Sequence, residues 1–329
     1  MRRVRFAPSP TGTLHVGNAL SAVANRRFGE WLLLRIDDTD PARNVPGGEE
    51  AILGDLEWLG VDWDEGPVRQ SERGERYREA AEQLAVTRFD GVTLVREDGS
   101  ATYQLASVVD DVDFGITHVI RGNDHRPNEA IHRRLHEALG TAPPEYVHHG
   151  LILGDDGKKL SKRAEGATVA SLRDAGIPAE AVRAYLEELD LPRHDVRLDL
   201  PRIRRLAIEA IEALPAEELA RRAGADPAYV PVMRGARDLV EARAYADQVA
   251  EPLPYAATDA ETLARFRELA SLPPRDLVRE LRAAGGNLKE LRLALTGRPT
   301  GPELSAILAA LPEEEALRRV DQALQHAQP

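Results

Sequence analysis

The chain has 329 residues, with 43 Lys and Arg against 55 Asp and Glu, a formal net charge of −12, and no cysteine. This composition excludes disulfides, thiol nucleophiles and cysteine-ligated zinc, so no zinc is expected, and it argues against non-specific nucleic-acid binding. No apolar run reaches membrane-spanning length, and the basic start Met1-Arg2-Arg3 has no apolar stretch behind it, so a cytoplasmic protein with no membrane contact is expected.

In chain order, Val4-Arg5-Phe6 reads as a short buried strand, Pro8–Gly12 as a loop, and Gly17–Gly29 as a helix. Leu32–Ile36 is a second strand. Glu49–Leu59 is a helix with Ile52, Leu53, Leu56 and Leu59 on one face. Tyr77–Leu84 is a further helix. Val92–Val95 is a strand ending at the hairpin-type turn Glu97-Asp98-Gly99. Thr117–Ile120 is a strand, and Asn128–Leu139 a helix stopped by Gly140. Tyr146–Leu153 is a strand closed by Gly154–Gly157. This alternation predicts a mainly parallel sheet with helices on both faces. From Thr168 the pattern turns helical with proline punctuation, and Ile203, Leu206, Ile208 and Ile211, then Leu277, Leu281 and Leu288, fit amphipathic faces. The expected divisions are 1–166, a helical connecting segment 167–200, and an all-α region 201–329.

Five segments carry chemistry, each with a plain alternative. Arg5–Gly12 running into His15-Val16-Gly17 is a strand, a proline-rich loop and a helix N-terminus, a ready anion site; it could equally be a surface arginine and an ordinary connection. Asp37, Asp38 and Asp40 follow a buried strand, where acids must be solvated, paired or capping; capping is the simpler reading, an ammonium or cation contact the other. Tyr103 opens a segment running to Asp111 and could be a core aromatic with its hydroxyl satisfied. Arg121 leaves a buried strand at Gly122, the geometry of a ligand contact or of a salt bridge. Lys159-Leu160-Ser161-Lys162-Arg163 gathers scarce lysines in one loop, where mobile cations suit phosphate chemistry; a basic loop is more commonly just a solvated one.

In this order and spacing the five segments resemble the glutamyl-tRNA synthetase family, a class I synthetase family, and Leu291–Arg298 resembles the close of its helical anticodon-binding region. The resemblance implies a Rossmann-like α/β catalytic domain followed by an all-α C-terminal region. It implies that His15, Lys159 and Lys162 form the catalytic set, and that His15, Gly17, Asn18, Asp124, Ile152, Lys159 and Lys162 receive ATP, with Mg2+ on the phosphates. Arg5 and Tyr103 would hold the glutamate side-chain carboxylate and Arg121 the α-carboxylate. Ala7, Ser9 and Ser107 would line that pocket, and Asp37 would take the ammonium. The partners would be glutamate and tRNA, either the glutamate or the glutamine isoacceptors, and the protein a monomer.

The chain departs from the resemblance at four places. Asp37 stands where glutamate is usual, Ser107 where an amide is usual, and Asn123 where an acid is common. The family inserts an acceptor-stem-binding domain after the helix ending at Leu84, whereas here Ala85–Gly91 joins that helix directly to the strand near Val92. These departures keep open a second reading: a paralogue that passes an aminoacyl-adenylate to a modified tRNA nucleoside, a carrier protein or a small amine. A third reading is a non-catalytic protein on a synthetase fold.

Overall fold

The computed structural model describes residues 1–158, 160–161 and 164–327. They form two compact units, residues 1–174 with 182–200, and residues 175–181 with 201 onward.

The first unit is built on parallel strands. β1 (Arg3–Phe6) pairs with β2 (Trp31–Ile36), placing Val4 opposite Leu32 and Arg5 opposite Leu33, and β2 pairs with β3 (Glu65–Arg69). α1 (Val16–Phe28) makes the first crossover and α2 (Gly48–Trp58) the second. After α3 (Gly74–Leu84) comes a hairpin of β4 (Arg88–Phe89) and β5 (Val92–Thr93), then α4 (Tyr103–Asp113). β6 (His118–Gly122) returns to the free side of β1, where the Thr117 backbone N–H donates to the Arg3 carbonyl at 2.9 Å. α5 (Glu129–Ala138) leads to β7 (Glu145–His149), parallel to β6. The chain thus reverses its direction of growth between β1 and β6, and at such a switch point the C-terminal strand ends open a crevice for ligands. β2 is buried along almost its whole length, as a strand covered on both faces must be.

Several expectations are corrected. Tyr146–Leu153 is not one strand: it breaks after His149, and β8 (Ile152–Leu153) pairs instead with β9 (Val196–Arg197). The break falls at Gly150, where any side chain would collide with the His194 carbonyl at 2.0 Å. The Val92–Val95 strand is cut to a two-residue rung outside the parallel sheet, because Asp90 and Gly91 (φ 48° and 81°) turn it back on β4. This is the mirror-image turn that an Asp-Gly pair favours. The expected turn at Gly99 is present, with φ 82°. In α2, Ile52, Leu56 and Leu59 are buried as expected, while Leu53 is half-buried.

The short join after α3 is a packed element. Phe89, Val92, Leu94 and Val95 lie against Tyr77 and Ala80 of α3, Leu105 and Val109 of α4, and Ile131 and Leu135 of α5. Leu94 is completely buried.

α6 (Val169–Asp174) and α7 (Ala179–Leu189) follow β8, and the rest of the chain is helical, from α8 (Leu200–Ala213) to α16 (Glu313–His326). Within the second unit, the proline punctuation of the sequence falls at helix starts. Pro215, Pro273 and Pro312 immediately precede α9 (Ala216–Ala223), α13 (Pro274–Ala283) and α16, where the missing N–H costs nothing. Ile203, Leu206 and Ile211 are buried, but Ile208 is exposed because it falls off their stripe. Arg319 is buried and donates to the carbonyls of Val249 and Leu295, both at 2.8 Å. These lie at the ends of α11 (Leu239–Ala250) and α14 (Leu288–Thr296), so one guanidinium satisfies carbonyls that helix termination leaves open.

Candidate active site

At the switch point lies a cavity of about 670 Å³, lined from β1, the loop after it, α1, β6, β7, Gly150, Leu151, Ile152 and Leu160. Its floor is a buried charge cluster. Arg35 is fully buried; its Nε donates to Asp37 Oδ1 at 2.7 Å and its Nη1 to Asp111 Oδ1 at 3.1 Å. Asp111 also meets Arg5 Nε at 3.3 Å. Burial works against the Asp111 charge, but Arg5 and Arg35 outweigh it and hold the carboxyl below its ordinary range. At Asp37 burial wins over Arg35 and the carboxyl is raised. A charge removed from water survives only with such partners. Arg35 and Asp111 were not among the expected site residues. An arginine inside an apolar strand was the signal for both, since it requires a buried acid.

Arg121, at the C-terminal end of β6, is different. Its Nη1 donates to the Tyr103 hydroxyl at 3.3 Å, its Nε to His148 Nε2 at 3.3 Å, and its guanidinium lies 5.2 Å from the Tyr146 ring centre. It is 6% exposed, its Nη2 has no hydrogen-bond partner among the described residues, and no carboxylate among them lies in ion-pair range of it. Burial, and secondarily the charge of Arg5, depress its pKa. Arg5 and Arg121 therefore both present positive charge to the cavity, and of these two only Arg5 has a described carboxylate at its back.

The helix end of the cavity is organised by His15. This residue caps α1: its Nδ1 accepts from the Gly17 N–H at 3.3 Å, and its Nε2 lies 2.9 Å from the Leu160 carbonyl. Together these contacts put the proton on Nε2. His15 also bridges Thr168, while Val16 N–H donates to Ala167 and Val169 N–H to Leu14. The loop ahead of α1 is pinned by buried Asp55, which accepts from Thr13 Oγ1 and from the Leu14 N–H at 2.8 Å. The structure thus brings the segment around Leu160 against the start of α1. Lys159 and Lys162 themselves lie outside the described residues.

Arg5, Ala7, Ser9, His15, Gly17, Asn18, Asp37, Tyr103, Arg121, Asp124 and Ile152 all line the one cavity. Ser107 does not. It is fully buried behind Arg35, its hydroxyl accepting from Nη2 at 3.4 Å, so its expected contact with an amino acid is replaced by one with Arg35. Asp38 is taken by Ser71, and Asp40 caps a short turn by accepting from the Ala42 N–H. Gly122 allows Asp124 to fold back, since a Cβ there would stand 2.8 Å from Asp124 Oδ1. Sequence reasoning missed Arg96, His125, Asn128 and His149 as lining residues. The position of His149 was readable only from register, which sets it opposite Gly122.

The family model described as "tRNA synthetases class I (E and Q), catalytic domain" matches residues 1–88 and 84–198. The glutamate–tRNA ligase 1 of Rubrobacter xylanophilus is 35% identical, with 98% of this chain and 97% of that protein aligned. The glutamate–tRNA ligase of Akkermansia muciniphila is 31% identical, over 97% and 98%. A crystal structure of a glutamate tRNA ligase from Elizabethkingia meningosepticum in complex with its amino acid superposes with a TM-score of 0.78 at 23% identity, covering 99% of this chain and 100% of that one; the likeness to it is one of fold. The family match breaks at residues 84–88, where the β4–β5 hairpin begins. The Rubrobacter alignment spans 419 positions against a chain of 329 residues, so a substantial part of that relative has no counterpart here. By identity, coverage and matched domain, the chain belongs to the class I tRNA synthetase family of the glutamate and glutamine enzymes.

Proposed function

We propose that the chain is a glutamate–tRNA ligase. Glutamate binds with its side-chain carboxylate at Arg5 and Tyr103 and its α-carboxylate at Arg121, Ala7 and Ser9 walling the pocket. Its ammonium faces Asp37, which shares its charge with Arg35. ATP lies along His15, Gly17, Asn18, Asp124 and Ile152, with Lys159 and Lys162 on the phosphates, and magnesium brought in with it would add positive charge there. An α-carboxylate oxygen attacks the α-phosphorus, the bond to the bridging oxygen breaks, and pyrophosphate leaves. The terminal ribose hydroxyl of tRNA then attacks the carbonyl carbon of the adenylate and AMP departs. Little covalent help is needed; positioning and positive charge carry the first step. The protein acts as a cytoplasmic monomer.

The observation that carries this reading is Arg121, a buried cation beside Arg5 with no carboxylate among the described residues in ion-pair range, which suits an acidic substrate. Aminoacylation of total tRNA with radiolabelled glutamate tests it, and absence of glutamyl-tRNA at high enzyme concentration rejects it. The packed β4–β5 hairpin at the break in the family match favours a second reading: an adenylate-forming paralogue with another acceptor. That reading predicts pyrophosphate exchange without RNA and no aminoacyl ester at the tRNA 3′ end.

A further inference from the structure

One part-buried hydrogen-bond chain along the cavity wall has no part in the chemistry above. His132, on α5, has no solvent exposure, and its Nε2 lies 2.6 Å from Gln104 Oε1. Gln104, on the first turn of α4, donates from its amide nitrogen to Asn128 Oδ1 at 3.1 Å. Asn128 caps α5 and lines the cavity. The residue beside Gln104 is Tyr103, whose ring sits between His132 and His125 at centroid distances of 5.7 and 6.2 Å, and whose hydroxyl receives Arg121. His132 therefore reaches the cavity wall twice, by its ring against Tyr103 and by its proton through Gln104 to Asn128.

We propose that His132 is a positioning residue for the amino-acid pocket: it holds Tyr103 against Arg121 and, through Gln104, turns the Asn128 side chain so that it meets a ligand as a donor. The logic is one of polarity. Gln104 Oε1 accepts from His132, so the Gln104 amide nitrogen must donate onward. Asn128 Oδ1 accepts that bond, which leaves Asn128 Nδ2 for the cavity. A donor beside two arginines suits substrate oxygens and disfavours a ligand that presents N–H groups there. Burial first, and then the charge of Arg121, hold His132 neutral with its pKa down at about 3; Asp111 opposes this, while Arg5 and His136 reinforce it. A neutral ring carries one proton, and Gln104 Oε1 facing Nε2 places that proton on Nε2. His132 Nδ1 has no hydrogen-bond partner among the described residues, so the ring is anchored through Nε2 alone.

This proposal deepens the glutamate reading and rests on it for the identity of the substrate. The test is amino-acid-dependent ATP–pyrophosphate exchange, with tRNA present, on the full chain. His132→Phe keeps a ring beside Tyr103 and deletes the bond. It is expected to raise KM for glutamate about tenfold, the scale of one lost hydrogen bond, while KM for ATP and kcat stay within about twofold. His132→Gln, which can still donate to Gln104, is expected to recover most of that loss. Gln104→Leu breaks the same chain at a part-buried residue and keeps the test open should His132→Phe fail to fold. An unchanged KM for glutamate in both variants would overturn the proposal, as would KM values for glutamate and ATP that rise together with a falling Tm. A crystal structure of either variant separates this proposal from the reading beneath it. Tyr103 released from Arg121 or Asn128 reoriented supports the positioning role even if wild-type exchange depends on another amino acid. Both side chains unmoved contradicts it.

Discussion

Arg121 and Arg5 have the same charge and face the same cavity, yet their surroundings separate them. Arg5 leans on Asp111, whereas among the described residues Arg121 has Tyr103 and His148 as its side-chain hydrogen-bond acceptors. Replacing Arg121 by Gln is expected to lower kcat/KM for glutamate about 100-fold, the scale for removing one partner of a desolvated charge pair, with KM for ATP little changed; equal losses for both substrates would contradict the assignment. Lys162→Ala is expected to reduce turnover far more than ATP affinity, since its charge serves the transition state, and exchange kinetics at saturating ATP check this. The buried histidines make a pH prediction. Burial, then Arg121, lowers the His148 pKa from 6.5 to about 4, and His132 is lowered to about 3. As pH falls below 6.5 the unfolded chain takes up protons that these folded sites refuse. Stability is therefore complete above about pH 6.5 and is lost as pH falls toward 4. Tm measured from pH 8 to 4.5 should decline, less steeply in His148→Gln; a flat profile would contradict the burial. At this scale the sequence singled out Arg5 and Arg121 from their strands, and both line the cavity. It was misleading at Ser107, whose place in the segment suggested a pocket contact that Arg35 in fact takes, because periodicity does not say which buried polar groups pair.

Among the elements, α4 was not read from the sequence: Leu105 to Asp111 are buried without interruption, Ser107, Asp110 and Asp111 included, so its polar positions do not mark a solvent-facing side. β3 was missed for a related reason: it is an exposed or half-buried edge strand containing Gly66 and Pro67. The β4–β5 hairpin was carried by Asp90-Gly91, a turn signal that the expectation of one longer strand overrode. Because Leu94 is fully buried between α3, α4 and α5, Leu94→Ala is expected to destabilise the protein by about 2–5 kcal/mol. Arg319→Met would leave the Val249 and Leu295 carbonyls unpaired in the helical unit and is expected to lose about 2–4 kcal/mol. Urea unfolding measures both, and a loss below about 0.5 kcal/mol, the level of a neutral surface change, would contradict the packing described for either site.

For the whole molecule, the alternation of strands and helices was enough to foresee a parallel α/β unit followed by helices. It could not supply the strand order, which depends on β6 returning beside β1 rather than beyond β3. That return creates the crevice, brings Arg121 near Arg5, and sets the Leu160 segment against His15. The same topology makes the short join comprehensible: the chain passes from α3 to α4 through a hairpin that buries its own apolar side chains, leaving the cavity complete without an inserted domain. The described lining of the cavity comes from segments on both sides of that join. The most direct measurement is ATP–pyrophosphate exchange by the purified chain across a panel of amino acids, with and without tRNA. The account predicts exchange that depends on glutamate and is weak with glutamine and aspartate. Exchange driven by a neutral amino acid, or none with any amino acid in the presence of tRNA, would contradict it.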